Sequence, residues 1–409
     1  MSVDRRALET KGYLVVPGFI DLHAHLREPG SEDSETVATG AKAALRGGFT
    51  TICAMPNTEP AIDSPGLVAE LIARGRSAGQ ARVLPIAAIT RGRRGRELAD
   101  LVELAAAGAV AFSDDGSPVE DTRLFRSALE YSRMTDLPVI EHPQDMRLSA
   151  KGVMHEGAVS ARLGLPGIPA AAEETAVARD IGVAKMTGGR LHLTHLSTAG
   201  SIELVRRAKA EGVPITCDVT PHHLAMTDDW VAGSRAFAWE VPDEALQGVP
   251  YDSATKVNPP LRGHADVRAL WAGLADGTVD AIATDHAPHT SVKKDVEFDQ
   301  AAFGISGLET ALGLVLGGVR VHWAPLGSVI DALTIGPARV LGLEPVEDDW
   351  IAIDRDAEWL VTAGELVSKG KNTPVLGRTL IGRVVHVALS GETKIDGGRA
   401  GNAEAVARR

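Results

Sequence analysis

Two histidines separated by one residue, His23 and His25, follow the first apolar run of the chain at residues 15–22. In an extended segment, residues i and i+2 point to the same side, so both imidazoles can reach one point beyond the end of that run. Imidazole nitrogens at this spacing can bind a metal ion, whereas the alternative is a pair of ordinary polar residues in a loop. The pair alone does not decide between these interpretations.

Further clusters of similar chemistry follow later apolar runs. They are Asp114-Asp115 before Gly116, His142 after Glu141, His192 and His195 in LHLTHLS, and Asp285 and His289 in TDHAPH. Taken singly, each has an ordinary structural explanation, because carboxylates before a glycine often form turns. His192 lies inside its run and fits a hydrogen-bonded core histidine better than a ligand.

Eight apolar runs, rich in Val and Ile and with little polar alternation, have the composition of buried parallel strands. They lie at residues 15–22, 50–55, 83–89, 109–112, 138–140, 191–193, 214–219 and 279–283. Helical patterns separate most of them, at residues 35–46, 67–78, 96–107, 122–134, 173–186, 202–210 and 265–274. This alternation predicts an α/β fold, a (β/α)8 TIM barrel. The alternative is a doubly wound open sheet, which often begins with a glycine-rich phosphate loop. Neither G-x-G-x-x-G nor G-x-x-x-x-G-K-[ST] occurs in the chain.

The barrel prediction changes how the clusters are interpreted, because the active site of such a barrel lies at the carboxyl ends of its strands. The residues that fall at such ends are His23, His25, Asp115, His142, His195 and Asp285. Four imidazoles and two carboxylates form a ligand set suited to Zn²⁺. Six ligands exceed one tetrahedral zinc, so the set predicts two metals that share a bridging carboxylate and activate a hydroxide. A purely structural zinc fits poorly, since such sites are usually closed, four-coordinate and rich in cysteine.

Polar residues on the same predicted rim add recognition chemistry. Arg27 follows the histidine pair, Asn57 follows the second run, and Asn258 lies in KVNPPLR. Singly, each could equally cap a loop. Jointly they supply a guanidinium for a carboxylate and amides for a planar amide substrate.

Composition excludes several other classes of protein. Hydrophobic residues make up 44% of the 409 residues, which rules out a disordered chain, and the net charge of −12 argues against nucleic acid or an anionic membrane as a partner. The first residues carry no apolar signal core, and no run is long enough to span a membrane. Cys53 and Cys217 lie in apolar runs and are expected to be buried free thiols. We therefore expect a cytoplasmic protein.

Two parts of the chain depart from the alternation. Residues 224–257, with Trp230 and Trp239, are too long for an ordinary connection and predict an excursion over the top of the barrel, either a lid or a static rim. After residue 341, strand-like runs at 350–353, 358–361 and 379–389 predict a small β appendage, and the last dozen residues are expected to be frayed. The predicted domains are a barrel over residues 16–340 and an appendage from residues 1–15 plus 341–409.

The motifs PGFIDLHAHLREPG, RGGFTTICAMPNT, AFSDDG, LTHLST, VNPPLR and ATDHAPH together resemble a dihydroorotase, of the bacterial type I class in the amidohydrolase superfamily. The resemblance is dense from about residue 16 to 310 and weaker to about 383. It implies reversible hydrolysis of (S)-dihydroorotate to N-carbamoyl-L-aspartate, a step of de novo pyrimidine biosynthesis. It also implies a metal-bound hydroxide as the nucleophile.

The resemblance assigns roles residue by residue. His23, His25 and Asp285 bind one metal, His142 and His195 bind a second, and Asp115 bridges the two Zn²⁺ ions of each subunit. Asp285 is also the general base and acid. The implied substrate contacts are His25, Arg27, Asn57, Asn258, His289 and the backbone of Phe303 and Gly304.

The chain also departs from the family pattern. Members of the family carry a longer N-terminal segment, which builds half of the small β domain, so that half is expected to be reduced or missing here. In EHPQD, Pro143 and Gln144 replace a usual Cys and Glu, while the histidine is kept.

Two other functions are weighed against this one. Allantoinases and dihydropyrimidinases use a carboxylated lysine after strand 4, and no lysine lies between residues 109 and 116. A non-catalytic scaffold of aspartate transcarbamoylase would have lost metal ligands, and none is lost. A homodimer, and an association with aspartate transcarbamoylase, are expected as partners beside the small-molecule substrate.

Overall fold

The computed structural model describes residues 5–344, 346–397 and 399–400. Its strands are β1 (Leu14–Pro17), β2 (Phe19–Ala24), β3 (Phe49–Ala54), β4 (Arg82–Ala87), β5 (Ala111–Phe112), β6 (Val139–Glu141), β7 (Met154–His155), β8 (Gly167–Ile168), β9 (Leu191–Leu193), β10 (Ile215–Val219), β11 (Ala281–Ile282), β12 (Trp350–Leu360), β13 (Thr379–Leu389), β14 (Glu392–Asp396) and β15 (Arg399–Ala400).

The helices lie mainly between these strands. They are α1 (Arg5–Thr10), α2 (Val37–Gly47), α3 (Pro65–Ala78), α4 (Leu101–Ala106), α5 (Thr122–Ser132), α6 (Met146–Ser149), α7 (Ala158–Leu163), α8 (Ala170–Thr187), α9 (Ala199–Ala210), α10 (Pro221–Ala225), α11 (His264–Asp276), α12 (Ser291–Lys294), α13 (Ala311–Arg320), α14 (Leu326–Leu333) and α15 (Ile335–Leu341).

Eight parallel strands form the central sheet, in the order β2-β3-β4-β5-β6-β9-β10-β11. The seam between the first and last strand is joined by a parallel bridge between Ala24 and His286, with the His25 amide donating to the His286 carbonyl at 2.8 Å. The sheet is therefore a barrel, and the predicted fold class is confirmed. Because the strands are parallel, their carboxyl ends all lie at one rim of the barrel. The histidine and aspartate clusters lie at this rim.

Burial explains why these segments become strands and helices. Every residue of β3 is buried, as expected of a strand covered on both faces. Helix α5 shows the complementary pattern, because Asp121 caps its first turn and Phe125, Ala128 and Leu129 face the core.

The first predicted strand is wrong in one respect. Residues 15–22 were expected to form one strand, but the chain changes sheets at Gly18, so that β1 pairs antiparallel with β12 and β2 enters the barrel. A Cβ atom at Gly18 would lie 2.2 Å from Thr50 Oγ1, which explains why a residue without a side chain occupies the crossing point.

A second sheet has the order β1-β12-β13-β14-β15. The separate strands expected at 350–353 and 358–361 form one strand, β12, with a register irregularity between Asp354 and Glu358. The N-terminal segment contributes both β1 and the helix α1 to this part of the molecule. The predicted domain boundaries stay a prediction, and most of the C-terminal dozen residues expected to fray lie outside the described residues.

The excursion at residues 224–257 is built from 3-10 turns at Asp228–Trp230, Glu244–Leu246 and Ser253–Thr255. Trp230 is fully buried, and its indole donates to the Ala236 carbonyl at 2.7 Å. Trp239 stacks on Phe237 and meets Trp323 edge-on. Both tryptophans are packed into the body of the protein, which favours the static rim over the lid.

Within the described ranges, no helix is both long and apolar enough to cross a membrane. Cys53 and Cys217 are buried free thiols, as expected.

Candidate metal centre

Six buried side chains converge at the carboxyl rim of the barrel, and each comes from the end of a strand. They are His23 of β2, His25 just after it, Asp115 after β5, His142 after β6, His195 after β9 and Asp285 after β11. The structure thus brings together all six residues that the sequence marks as candidate ligands.

The first half of the centre consists of His23, His25 and Asp285. His25 Nε2 lies 3.3 Å from His23 Nε2 and 3.2 Å from Asp285 Oδ1. Asp285 Oδ1 is also 3.4 Å from His23 Nε2. Three donor atoms at these separations surround a point that one metal ion can occupy.

The second half consists of His142 and His195, and Asp115 lies between the two halves. His142 Nδ1 and His195 Nε2 are 2.9 Å apart, and both lie close to Asp115 Oδ1, at 3.7 and 3.5 Å. Asp115 Oδ2 faces the other way, at 3.4 Å from His23 Nε2 and 3.5 Å from His25 Nε2. One carboxylate therefore offers one oxygen to each half.

Hydrogen bonds on the outer side of the rings fix which nitrogen faces the centre. His25 Nδ1 lies 2.8 Å from Asn57 Oδ1, and His142 Nε2 lies 2.7 Å from Gln144 Oε1. Because an amide oxygen only accepts, those ring nitrogens must carry the hydrogen, which leaves the inner nitrogens as lone pairs.

The same argument applies to His23. Thr194 donates its hydroxyl to Asp218 Oδ2 at 3.0 Å, so Thr194 Oγ1 accepts from His23 Nδ1 at 2.9 Å. Outer partners thus orient three of the four rings, whereas His195 Nδ1 is buried without a hydrogen-bond partner among the described residues.

Together the four imidazoles and two carboxylates form a donor set that fits a pair of Zn²⁺ ions or similar metals.

Buried carboxylates behind the ligands hold the strand ends in place, and the sequence analysis did not single them out. Asp218 also accepts from the His195 amide at 2.6 Å and lies 2.8 Å from His192 Nε2. His192 is thereby a hydrogen-bonded core histidine, as predicted. Asp21 links β2 to the segment that follows β11, because its carboxylate accepts hydrogen bonds from the amide and the hydroxyl of Thr284 at 2.8 and 2.6 Å. An acid two residues before a ligand on the same strand, as Asp21 is, is a signal that could have pointed to this role.

The charges of the centre stabilise one another. Burial works against ionisation, but the imidazoles of His23, His142 and His195 hold the pKa of Asp115 well below its usual range. Burial likewise disfavours a charged His23, yet Asp115 and Asp285 raise the pKa of His23 to about 9. The site therefore has a negative field that attracts a cation.

Positive backbone φ angles mark three positions of the site. His195, Asp285 and Arg27 have φ of 42°, 47° and 59°, in the left-handed region that residues with a side chain seldom adopt. His195 lies two residues after the end of β9, and Asp285 lies three residues after the end of β11. Backbone strain of this kind clusters at functional sites.

A cavity of about 220 Å³ opens over the centre. The residues expected to contact substrate all line it, namely His25, Arg27, Asn57, Asn258, His289, Phe303 and Gly304. The Arg27 guanidinium is half-buried and donates from Nε to the Pro288 carbonyl at 3.2 Å. Among the described residues, no carboxylate lies within ion-pairing distance of it.

Several of these lining groups already have partners. His289 Nε2 lies 2.8 Å from the Phe303 carbonyl, and the Gly304 amide donates to the backbone carbonyl of Lys256 at 2.9 Å. Burial and the neighbouring Arg27 charge lower the pKa of His289 to about 3, so its ring is neutral. Asn258 donates to Gln144 Oε1 at 2.7 Å, which links the cavity wall to the partner of His142.

Comparison with known proteins gives one consistent result. A dihydro-orotase-like family model matches residues 12–201. A dihydroorotase of Anaeromyxobacter sp. (strain K) is 51% identical over 97% of this chain and 90% of its own length. One of Pelotomaculum thermopropionicum is 52% identical over 92% of this chain and 85% of its own length.

Solved structures show the same fold at lower identity. An L-hydantoinase (dihydropyrimidinase) of Arthrobacter aurescens matches with a TM-score of 0.80 and 22% identity, over 95% of this chain and 87% of its own. A D-hydantoinase (dihydropyrimidinase) of a Thermus species matches with a TM-score of 0.75 and 22% identity, over 95% and 86%. At this level of identity the likeness concerns the fold alone.

Proposed function

The chain belongs to the dihydroorotase family, and on that premise we propose that it catalyses the reversible hydrolysis of (S)-dihydroorotate to N-carbamoyl-L-aspartate. The observation that supports this best is the position of Asp115, whose two oxygens face two separate ligand groups. A bridging carboxylate of this kind suits a paired-metal cyclic amide hydrolase.

We assign two Zn²⁺ ions to the centre. His23, His25 and Asp285 would hold one, His142 and His195 the other, and Asp115 both. When bound, such a pair activates water as a nucleophile and polarises the substrate carbonyl. The outer partners Asn57, Thr194 and Gln144 keep the rings oriented for these ions.

Asp285 is proposed to move the proton. Its carboxylate stays ionised at neutral pH because, against the effect of burial, the imidazoles of His23 and His25 keep its pKa below the ordinary range. It can then accept the proton released as water attacks the ring carbonyl and pass it to the leaving ring nitrogen. In the direction of ring closure, the protonated Asp285 assists the loss of water.

Arg27 is proposed to bind the substrate carboxylate. A half-buried guanidinium with no ion-pairing carboxylate among the described residues is matched by an anionic ligand. Asn57, Asn258, His289 and the Phe303-Gly304 backbone would orient the planar ring beside it. Fixing the ring in this way places the amide carbonyl for attack.

The alternative functions are less well supported. Another cyclic amidase would need a lysine where the chain has Asp115, and a non-catalytic scaffold would not need six converging ligands. We further propose that the enzyme works in de novo pyrimidine biosynthesis in the cytoplasm. Homodimer formation and association with aspartate transcarbamoylase stay predictions.

Metal analysis combined with a substrate panel tests the proposal. We expect about two Zn²⁺ per chain, turnover of dihydroorotate but not of allantoin or dihydrouracil, loss of activity with a chelator, and recovery on addition of Zn²⁺. Full activity in protein shown to be free of metal would contradict the metal assignment. Comparable turnover of allantoin or dihydrouracil would contradict the substrate assignment.

A further inference from the structure

Asn372 lies outside the barrel strands, in the segment between β12 and β13, yet its side chain reaches the loops that line the substrate cavity. The residue is almost fully buried. It stands in the sequence KNTP, which the sequence analysis did not connect with the site.

The carboxamide of Asn372 bonds to these loops through both its nitrogen and its oxygen. Nδ2 donates to the carbonyls of Ala287 and Gly304, each at 3.0 Å. Oδ1 accepts from the His289 amide at 2.8 Å and lies 2.9 Å from the Ser306 hydroxyl, whose single hydrogen is shared with the Gly370 carbonyl at the same distance. Both amide hydrogens and at least one oxygen lone pair of the side chain are thus used in hydrogen bonds to these loops.

These partners belong to two loops whose roots are joined by a parallel bridge between His286 and Ile305, where the Ala287 amide donates to the Ile305 carbonyl at 2.9 Å. One carries His289 after β11, and the other carries Phe303 and Gly304 before α13. Asn372 is bonded to both, and the His289 ring reaches across to the Phe303 carbonyl at 2.8 Å. Beyond the bridge at the loop roots, the Asn372 side chain therefore adds a second link between the two loops, next to the residues that line the cavity.

The segment that carries Asn372 is itself fixed to the barrel. The amides of Val367 and Ser368 donate to Glu309, and the Ser368 hydroxyl donates to the buried Glu35 at 2.5 Å. A Cβ atom at Gly370 would lie 2.6 Å from the His289 nitrogen, so the backbones are in close contact there. Asn372 thus acts from a rigid base.

We propose that Asn372 is a positioning residue for substrate binding, which holds the His289 loop and the Phe303-Gly304 loop at the separation the ring requires. This inference rests on the proposed function, because those loops are substrate contacts only if the cavity binds dihydroorotate. No metal ligand bonds to Asn372, so its contribution belongs to substrate affinity rather than to metal binding.

Steady-state kinetics of Asn372→Ala in the zinc-loaded enzyme test the inference. Misplacing a binding group by about 1 Å can cost about a hundredfold, so we expect KM for dihydroorotate to rise by about ten- to a hundredfold. We expect kcat to change by less than about threefold, since uniform binding is lost rather than transition-state chemistry. Zinc content should equal that of the wild type.

Two further variants keep the test decisive. Asn372→Asp keeps the shape and the acceptor atoms, but it loses both donors and turns a charge toward two carbonyls. It should therefore also raise KM. This variant replaces the alanine variant in the test if the latter does not fold. Lys371→Met is the matched control, because among the described residues the Lys371 ammonium bonds to the Leu366 and Ser368 carbonyls of its own segment. It should leave KM within about twofold of the wild type.

The outcomes separate this inference from the proposed function. If the wild type does not turn over dihydroorotate, the proposed function is wrong and this inference falls with it. If the wild type is active and a folded, metal-loaded Asn372 variant keeps the wild-type KM, the inference alone is overturned. An equal rise of KM in Lys371→Met, or a loss of zinc in the Asn372 variants, would also overturn it, because either result assigns a general structural role.

Discussion

Asn57 Oδ1 lies 2.8 Å from His25 Nδ1, on the side of the ring that faces away from the metal centre. The sequence predicts Asn57 as a substrate contact, and the residue does line the cavity. Its amide oxygen is nevertheless committed to a ligand, which leaves the amide nitrogen to face the cavity. Asn57 therefore links the orientation of His25 to the substrate wall.

We expect Asn57→Ala to lower zinc affinity by about ten- to a hundredfold, the usual effect of removing a group that orients a metal-bound imidazole. Competition with a chromogenic chelator measures it. Asn57→Asp is the control, since a carboxylate oxygen can still accept from His25 Nδ1 and should keep most of the affinity. Wild-type affinity in the alanine variant would assign Asn57 to substrate alone.

Arg27→Met should lower kcat/KM by roughly 2–5 kcal/mol of transition-state binding, the typical cost of removing one partner of a buried charge pair. Metal content should not change, because Arg27 bonds to the Pro288 carbonyl and not to a ligand. Arg27→Lys keeps the charge without the planar fork and should recover part of the loss. If metal is lost together with activity, Arg27 is a structural residue.

Asp285→Asn separates metal binding from proton transfer. The variant keeps the shape and one coordinating oxygen but cannot accept a proton, so we expect at least about a 10²-fold loss in rate. Metal held by Asp115, His142 and His195 should remain. The measurement is the rate at saturating Zn²⁺, and recovery to nearly the wild-type rate there would mean that Asp285 is a ligand only.

Asp180→Asn should change how stability depends on pH. Arg179 Nη2 faces two buried carboxylates, at 2.7 Å from Asp180 and 3.8 Å from Glu141. Burial raises the pKa of Asp180 in spite of that guanidinium. Burial and the charge of Asp180 also raise the pKa of Glu141. Because one guanidinium faces two buried carboxyl groups, we expect one of the two groups to stay protonated in the folded protein.

A carboxyl group with a raised pKa in the folded state stabilises the fold below its unfolded pKa, and this stability is lost as pH rises through the folded value. The wild type should therefore lose up to about 1.4 kcal/mol of unfolding free energy per pH unit in that range. Asp180→Asn mimics the protonated form, and burial raises the pKa of Asp180 to about 7, so urea denaturation should show a smaller loss between about pH 5 and pH 7.5. The exposed Asp348→Asn variant should behave as the wild type. Equal pH dependence in all three proteins would show that Asp180 does not hold the proton.

The sequence alone was enough to predict the barrel and the six residues that converge at the candidate centre. Strand ends and ligand clusters are adjacent in the chain, and the parallel order of a barrel then brings every such end to one rim. The fold class was therefore sufficient to predict that His23, His25 and Asp285 converge, without knowledge of individual long-range contacts. The family motifs led to the same residues.

The tertiary structure decided what depends on contacts between distant residues. It showed that Gly18 divides one apolar run between two sheets. Thr50 packs against Gly18 and leaves no room for a side chain there. It oriented the rings of His23 and His142 through their partners Thr194 and Gln144. It also placed Asn372, 83 residues beyond His289, between two loops of the cavity. Periodicity and spacing describe which face of a segment is buried, but a hydrogen bond across the fold depends on side-chain positions that only the packed chain defines.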